Sequence, residues 1–228
     1  MRTFNNIIMV TVLLLGLSGL SMGQQKTIKH EYVDLGLPSG TLWATCNVGA
    51  NMPEGYGDYF AWGETEPKSI YNESTYKYCN NGYGNQLTKY CNNTFFGYNG
   101  FTDNLTILLP EDDAATANWG SGWCMPTIAQ WVELYQNTTH TWTTQNGVNG
   151  RLFTASNGNS LFLPAAGSRW RDELSRVGSR GYYWSSSLYT DYPIIAGYFH
   201  FRSGDYYVNS DSRSTGYSVR AVRSAGQN

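Results

Sequence analysis

The C-terminal third of the chain is a succession of short apolar and aromatic runs, each cut off by turn residues. No long helix fits between such breaks, so the pattern limits this region to strands and loops. Its densest example is Gly181-Tyr182-Tyr183-Trp184-Ser185-Ser186-Ser187, which reads as an aromatic strand breaking into a serine-rich loop. Tyr217-Ser218-Val219-Arg220-Ala221-Val222 reads as a short closing strand. Residues 151–154 and 160–163 flank Asn157-Gly158-Asn159, a strong hairpin turn. Further strands are expected over 195–202 and 205–209, with Ser203-Gly204-Asp205 turning one into the next. In the first of these, alternation puts Phe199 and Phe201 on the core face and leaves Tyr198, His200 and Arg202 on an exposed one.

Towards the N-terminus, 32–35 and 41–46 read as strands joined by the turn Leu37-Pro38-Ser39-Gly40, and 58–62 as a third strand ended by Gly63. Residues 66–105 are polar, aromatic and rich in Asn and Gly, and read as a long structured insertion. Two helix starts are signalled. Pro110 suits a first turn whose N–H needs no partner, and Glu111, Asp112 and Asp113 complement the positive end of a helix dipole. Thr127 with Gln130 forms a capping box, after which Ile128, Trp131, Val132 and Tyr135 recur at helical spacing and face inward.

The first 23 residues read as a signal peptide: Arg2 supplies a positive n-region, 7–20 are apolar, and Ser21 and Gly23 offer a small-residue cleavage site. The apolar run is short for a membrane span, so no membrane insertion is expected. A polar lead (24–30), one domain (31–223) and a tail (224–228) follow. The expected location is the periplasm, the cell surface or the extracellular space. With 15 basic against 17 acidic residues, there is no electrostatic reason to expect nucleic acid as a partner.

Four cysteines in an exported chain invite disulfides. Cys79 and Cys91 flank Asn80-Asn81-Gly82-Tyr83-Gly84-Asn85, a turn-rich stretch, and a bridge between them is expected. Cys46 and Cys124 either pair or sit buried and reduced. The 18 Tyr, 8 Trp and 25 Gly, with plentiful Asn and Ser, match the palette of antibody combining loops, and equally that of a turn-rich β-protein.

Several segments in register carry a resemblance. They are residues 32–50, Gly57-Asp58-Tyr59-Phe60-Ala61-Trp62-Gly63-Glu64, Pro110-Glu111-Asp112-Asp113-Ala114-Ala115, Trp123-Cys124-Met125-Pro126-Thr127, Leu163-Pro164-Ala165-Ala166-Gly167 and the two C-terminal runs above. Together they cover nearly all of the chain after residue 30, which resembles the Fibrobacter succinogenes major paralogous domain, of the type found in Bacteroides. That family resembles, more distantly, the C-type-lectin-like fold of formylglycine-generating enzymes and of the variable proteins of diversity-generating retroelements. The resemblance implies an α+β, loop-rich fold with two short helices and paired N- and C-terminal strands, placing 32–35 beside 218–222. Cys124 stands where the family pattern has Arg. The family often has a further Cys near Thr138 and Thr139, so the resemblance implies that Cys46 has changed partner to Cys124.

By analogy with the retroelement proteins, Tyr189, Asp191, Tyr192, Tyr198, Tyr207 and Asn209 fall in a ligand-contacting region. Trp170, Arg171 and Asp172 form a further polar-aromatic loop, and His200 and Arg202 share the face of Tyr198. Enzymatic chemistry is not expected. No cysteine follows Cys124, as formylglycine generation would require, and His30, His140 and His200 are scattered singly rather than set for a metal. A helix start explains the acidic run Glu111-Asp112-Asp113 more simply than a calcium site, and Ser185–Ser187 have no nucleophile-elbow pattern. No metal or cofactor is called for. The expected function is a non-enzymatic recognition module for a glycan or protein ligand. The alternatives are a structural surface-layer or adhesin component, or a degenerate enzyme of the same fold.

Overall fold

The computed structural model describes residues 30–82 and 84–224; the expected signal peptide, residues 24–29 and residues 225–228 lie outside the described residues. The chain opens with a hairpin of β1 (Tyr32–Asp34) and β2 (Thr41–Ala44), closed by Gly40 N–H donating to Leu37 O at 2.8 Å. After β3 (Tyr59–Phe60) comes the long insertion, then a single 3-10 turn at Pro110–Asp112 leading into α1 (Ala114–Trp119). Asp113 caps α1 by accepting from Thr116 N–H. The Thr127–Gln130 capping box is formed at the start of α2 (Ile128–Gln136), which buries Trp131 and Leu134.

Strands fill the remainder: β4 (Thr138–Gln145), β5 (Val148–Ala155), β6 (Ser160–Pro164), β7 (Ser168–Trp170), β8 (Glu173–Ser175), β9 (Arg180–Leu188), β10 (Ile195–Arg202), β11 (Tyr206–Ser212), β12 (Tyr217–Ser218) and β13 (Val222–Ser224). The fold is thus α+β, β-rich and loop-rich. β4 lacks an apolar alternation; it is a threonine-rich strand paired along its whole length to β5.

The central sheet has the order β11-β10-β9-β12-β3, and both faces of its inner strands are covered, while Tyr207 and Asn209 stay exposed at the β11 edge. On one side Tyr183, Phe199 and Phe201 pack with Trp131, Leu134 and Phe153, the Trp131 and Phe199 rings stacking at 5.0 Å. On the other, Tyr182, Trp184, Tyr198 and Tyr217 join Trp62, Tyr76 and Tyr90 in a second aromatic core. This corrects the alternation reading for Tyr198 and His200, which are only 6% and 1% exposed. In a sheet covered on both faces, the period of two sorts side chains between two cores rather than between core and water. Only Arg202, at the strand end, is exposed as expected. The serines after Trp184 are also not a loop. They continue β9, and buried Ser185 Oγ donates to Gly197 O at 2.7 Å.

A second sheet, β1-β2-β13, corrects the strand pairing: β1 does not lie beside the C-terminal run. The tight turn folds β2 onto β1, leaving the other edge of β2 for β13, with Val222 opposite Trp43. The closing run itself splits. Residues 219–221 separate β12 from β13, and buried Arg220 there donates to Asn47 Oδ1, Ala44 O, Thr45 O and Phe162 O.

The insertion is not tied by a Cys79–Cys91 disulfide. Leu87, not Cys91, lies opposite Cys79, so the turn ends four residues too early for the thiols to meet. The Cys91 thiol donates instead to Asn93 O at 3.2 Å, and that of Cys46 to Ala50 O at 3.3 Å; Cys46 and Cys124 are not joined either. Polar groups do the tying. Asp103 accepts from the backbone N–H groups of Tyr90, Cys91 and Leu105. Asp112, expected as a dipole partner, accepts instead from Lys77, Lys89, Tyr78 and Tyr90. Burial alone would raise the Asp112 pKa, but these four donors together hold it below the ordinary carboxylate value. Buried Arg213 reaches into the insertion from the other side, donating to Tyr76 Oη, Lys89 O, Tyr90 O and Pro193 O.

Candidate functional site

An open cleft of about 650 Å³ lies where the start of β3, the start of the insertion and the β7–β8 hairpin meet. Its lining includes Asp58, Tyr59, Lys68, Tyr71, Arg169 and Asp172. The hairpin is docked there by backbone bonds on both sides. Arg169 and Gly216 exchange N–H···O bonds at 2.8 and 2.9 Å, and Arg171 and Tyr71 exchange them at 2.7 and 2.8 Å. Gly216 is required at this point, because a Cβ there would come within 2.8 Å of the Tyr71 ring and 3.0 Å of Arg169. Arg171 turns the hairpin in the left-handed region at φ 53°.

The charges of the cleft are unevenly satisfied. Lys68 is neutralised by Glu64, at 2.8 Å. The Arg169 guanidinium lies 5.3 Å from the Tyr59 ring centroid and makes no hydrogen bond or ion pair with any described residue. The Asp58 and Asp172 side chains likewise accept no hydrogen bond from any described residue. Burial, against the opposing charge of Arg169, pushes the Tyr59 phenol up to about 12, while its Oη donates to Ala166 O. The floor is therefore neutral and aromatic, and the unengaged groups above it comprise five N–H donors and two carboxylates. The lining holds no histidine or cysteine, and Ser69 has no hydrogen-bonded base among the described residues.

The residues expected to bind ligand fall into three groups that the fold keeps apart, with Arg202 on its own. Asp172 lines the cleft, and Arg171 is exposed at the hairpin tip. Trp170, 42% exposed, follows Arg169 in β7, and strand alternation turns it to the opposite side. Tyr189, Asp191 and Tyr192 sit in the exposed β9–β10 connection, where Tyr192 rests 5.9 Å from the Phe96 ring of the insertion. Arg202 is at the far end of β10, in an ion pair with Asp205 at 2.6 Å. Eight residues of strand, at ~3.3 Å each, separate these last two places. Tyr198, His200, Tyr207 and Asn209 form the third group on adjacent strands, Tyr198 opposite Asn209 and His200 opposite Tyr207. There Tyr207 and Asn209 are exposed over the two buried residues.

Asp58 and Arg169 escaped the sequence reading. Asp58 lies within the run Gly57–Glu64 and Arg169 two residues after Leu163–Gly167, but only the β3–insertion–hairpin junction brings them together. Among the described residues no three His, Cys, Asp or Glu side chains are placed to hold a metal ion, and no helix is long and apolar enough to cross a membrane. No family model, curated protein or solved structure matches the chain.

Proposed function

We propose that this chain is an exported, non-catalytic recognition module that binds a glycan in the cleft between β3, the insertion and the β7–β8 hairpin. The observation that carries this reading is Arg169: a guanidinium stacked over Tyr59, without an acceptor among the described residues, beside the unengaged carboxylates of Asp58 and Asp172. A sugar presents vicinal hydroxyls that donate and accept at once, together with an apolar face suited to an aromatic ring. A fork of donors and two carboxylates over tyrosines meets both needs. The resemblance to the Fibrobacter succinogenes major paralogous domain, and through it to the C-type-lectin-like fold, also supports the reading. The signal-peptide pattern of residues 1–23 supports export to the periplasm or cell surface.

The test is a glycan array probed with the protein lacking residues 1–23 and with an Arg169→Gln/Asp172→Asn variant of unchanged circular dichroism. Binding by the wild type that the variant loses by about tenfold or more, the worth of one or two charge-assisted hydrogen bonds, is expected. Equal binding by both sinks the cleft assignment. Absence of glycan binding together with self-association in sedimentation replaces the reading with a structural surface component.

A further inference from the structure

A second group of charges lies on the other side of the β7–β8 hairpin, over the face of β9, β10 and β11. β9 and β10 place Arg180 directly opposite Arg202, a like-charge pair that a sheet ordinarily avoids. Asp205 neutralises Arg202 through a bidentate contact to Nε at 2.8 Å. Arg180 has no carboxylate partner among the described residues, and neither does Arg176. Both guanidiniums instead share one neutral acceptor, Tyr182 Oη, at 3.4 Å from Arg180 and 2.8 Å from Arg176.

The arrangement is built into the backbone. Arg176 adopts φ 62°, a left-handed conformation that a side chain other than Gly rarely takes. Its carbonyl accepts from the N–H groups of Ser179 and Arg180 and from Ser179 Oγ, which fixes the turn and holds the guanidinium 5.9 Å from the centre of the Tyr182 ring.

Against Tyr182 lies His200, 1% exposed, its ring 4.7 Å from those of Tyr182 and Tyr207. Neither ring nitrogen has a hydrogen-bond partner among the described residues. A buried imidazole carries one donor and one acceptor, and leaving both unmade is costly, so such a group calls for an explanation. Burial first, and then the charges of Arg180, Arg202 and Arg176 against the opposing Asp205, push its pKa down to about 4. It therefore offers a neutral N–H. Tyr207 and Asn209 are exposed beside it on the same face.

We propose that Arg176, Arg180 and His200 form a binding site for an oxyanion carried on a sugar, either a sulfate ester or a uronate carboxylate. The oxyanion accepts from both guanidiniums, neither of which has a carboxylate partner among the described residues, and it offsets the positive charge gathered around buried His200. Tyr207 supplies a ring at the rim for the pyranose, and Asn209 an amide for its hydroxyls. The Arg169 cleft contributes no residue, so this site stands or falls independently of it.

The test is affinity electrophoresis of the protein lacking residues 1–23 through gels containing chondroitin sulfate, hyaluronan or neutral dextran, at about 0.15 M salt to screen diffuse attraction. Retardation by an anionic polymer and not by dextran is expected. Retardation by chondroitin sulfate alone assigns a sulfate ester; retardation by both anionic polymers assigns a carboxylate. The Arg176→Gln/Arg180→Gln variant is expected to weaken binding about tenfold or more. His200→Phe, which keeps the ring packing, weakens it by a smaller factor. Three results overturn the proposal: no retardation of the wild type by either anionic polymer, equal retardation of wild type and double variant, or an equal loss on Arg171→Gln, which would make the attraction one of diffuse charge.

Discussion

Arg213→Met is the sharpest test of how the insertion is held. Arg213 is 1% exposed, and its guanidinium lies 4.9 Å from the Trp62 ring centroid and 5.2 Å from that of Tyr76. Three of its four acceptors are backbone carbonyls, two of them in the insertion and one in the β9–β10 connection. Methionine keeps much of the side-chain length and removes the desolvation cost of the cation. Replacing buried charges by apolar groups is often harmless, but only when both partners are replaced. Here the carbonyls of Lys89, Tyr90 and Pro193 stay behind and lose a donor. Hydrogen bonds to charged groups are worth roughly 1.5–3 kcal/mol each, and they do not add fully, so the expected loss is about 3–5 kcal/mol. Urea unfolding followed by tryptophan fluorescence measures it. Amide exchange locates it, with the N–H groups of Leu87 and Tyr98, bonded to Phe96 O and Leu87 O, expected to lose protection first. A loss under about 1 kcal/mol, with those amides still protected, refutes the claim that Arg213 is the tie.

Two further outcomes are expected. His200 has its folded pKa near 4 against an ordinary 6.5, so the unfolded chain takes up the proton first. Its contribution is complete above about pH 6.5 and is lost as pH falls towards 4, at up to ~1.4 kcal/mol per unit. Urea midpoints measured across that window should slope less in His200→Phe than in wild type, and parallel slopes contradict the assignment. Gly197→Ala would place a Cβ 2.7 Å from Ile128, wedging α2 off the sheet. A destabilisation of about 1–3 kcal/mol in thermal or urea melts is expected, and a neutral result would mean that Ile128 swings clear.

Much of the scaffold was legible because local chemistry decided it. Thr127 and Gln130 announced α2, Asn157-Gly158 announced the β5–β6 hairpin, and the Leu37–Gly40 turn announced β1–β2. Elements decided by long-range partners were not legible. β4 has threonines where a half-buried strand shows alternating apolar residues, and β5 alone makes it a strand. Tyr198 and His200 carry the signature of a solvent face, yet the fold covers that face too. Asp112 looked like a helix-dipole carboxylate, and its partners lie more than twenty residues upstream. The two candidate sites illustrate the same limit. Arg171, Asp172, His200, Tyr207 and Asn209 stood out as polar-aromatic composition. Arg169, Asp58, Arg176 and Arg180 did not, because what marks them is the want of an ion-pair partner, and that exists only once the chain has folded.

The last stretch of the chain supplies partners to segments made long before it. β3 pairs in its sheet only with β12, the free edge of β2 is covered only by β13, and the insertion receives Arg213. A ribosome that has synthesised as far as β10 has therefore made every one of these segments without these late partners. Completion of these sheet edges waits until synthesis nears its end. Loss of the final dozen described residues would leave open sheet edges along β2 and β3 rather than a slightly shorter protein.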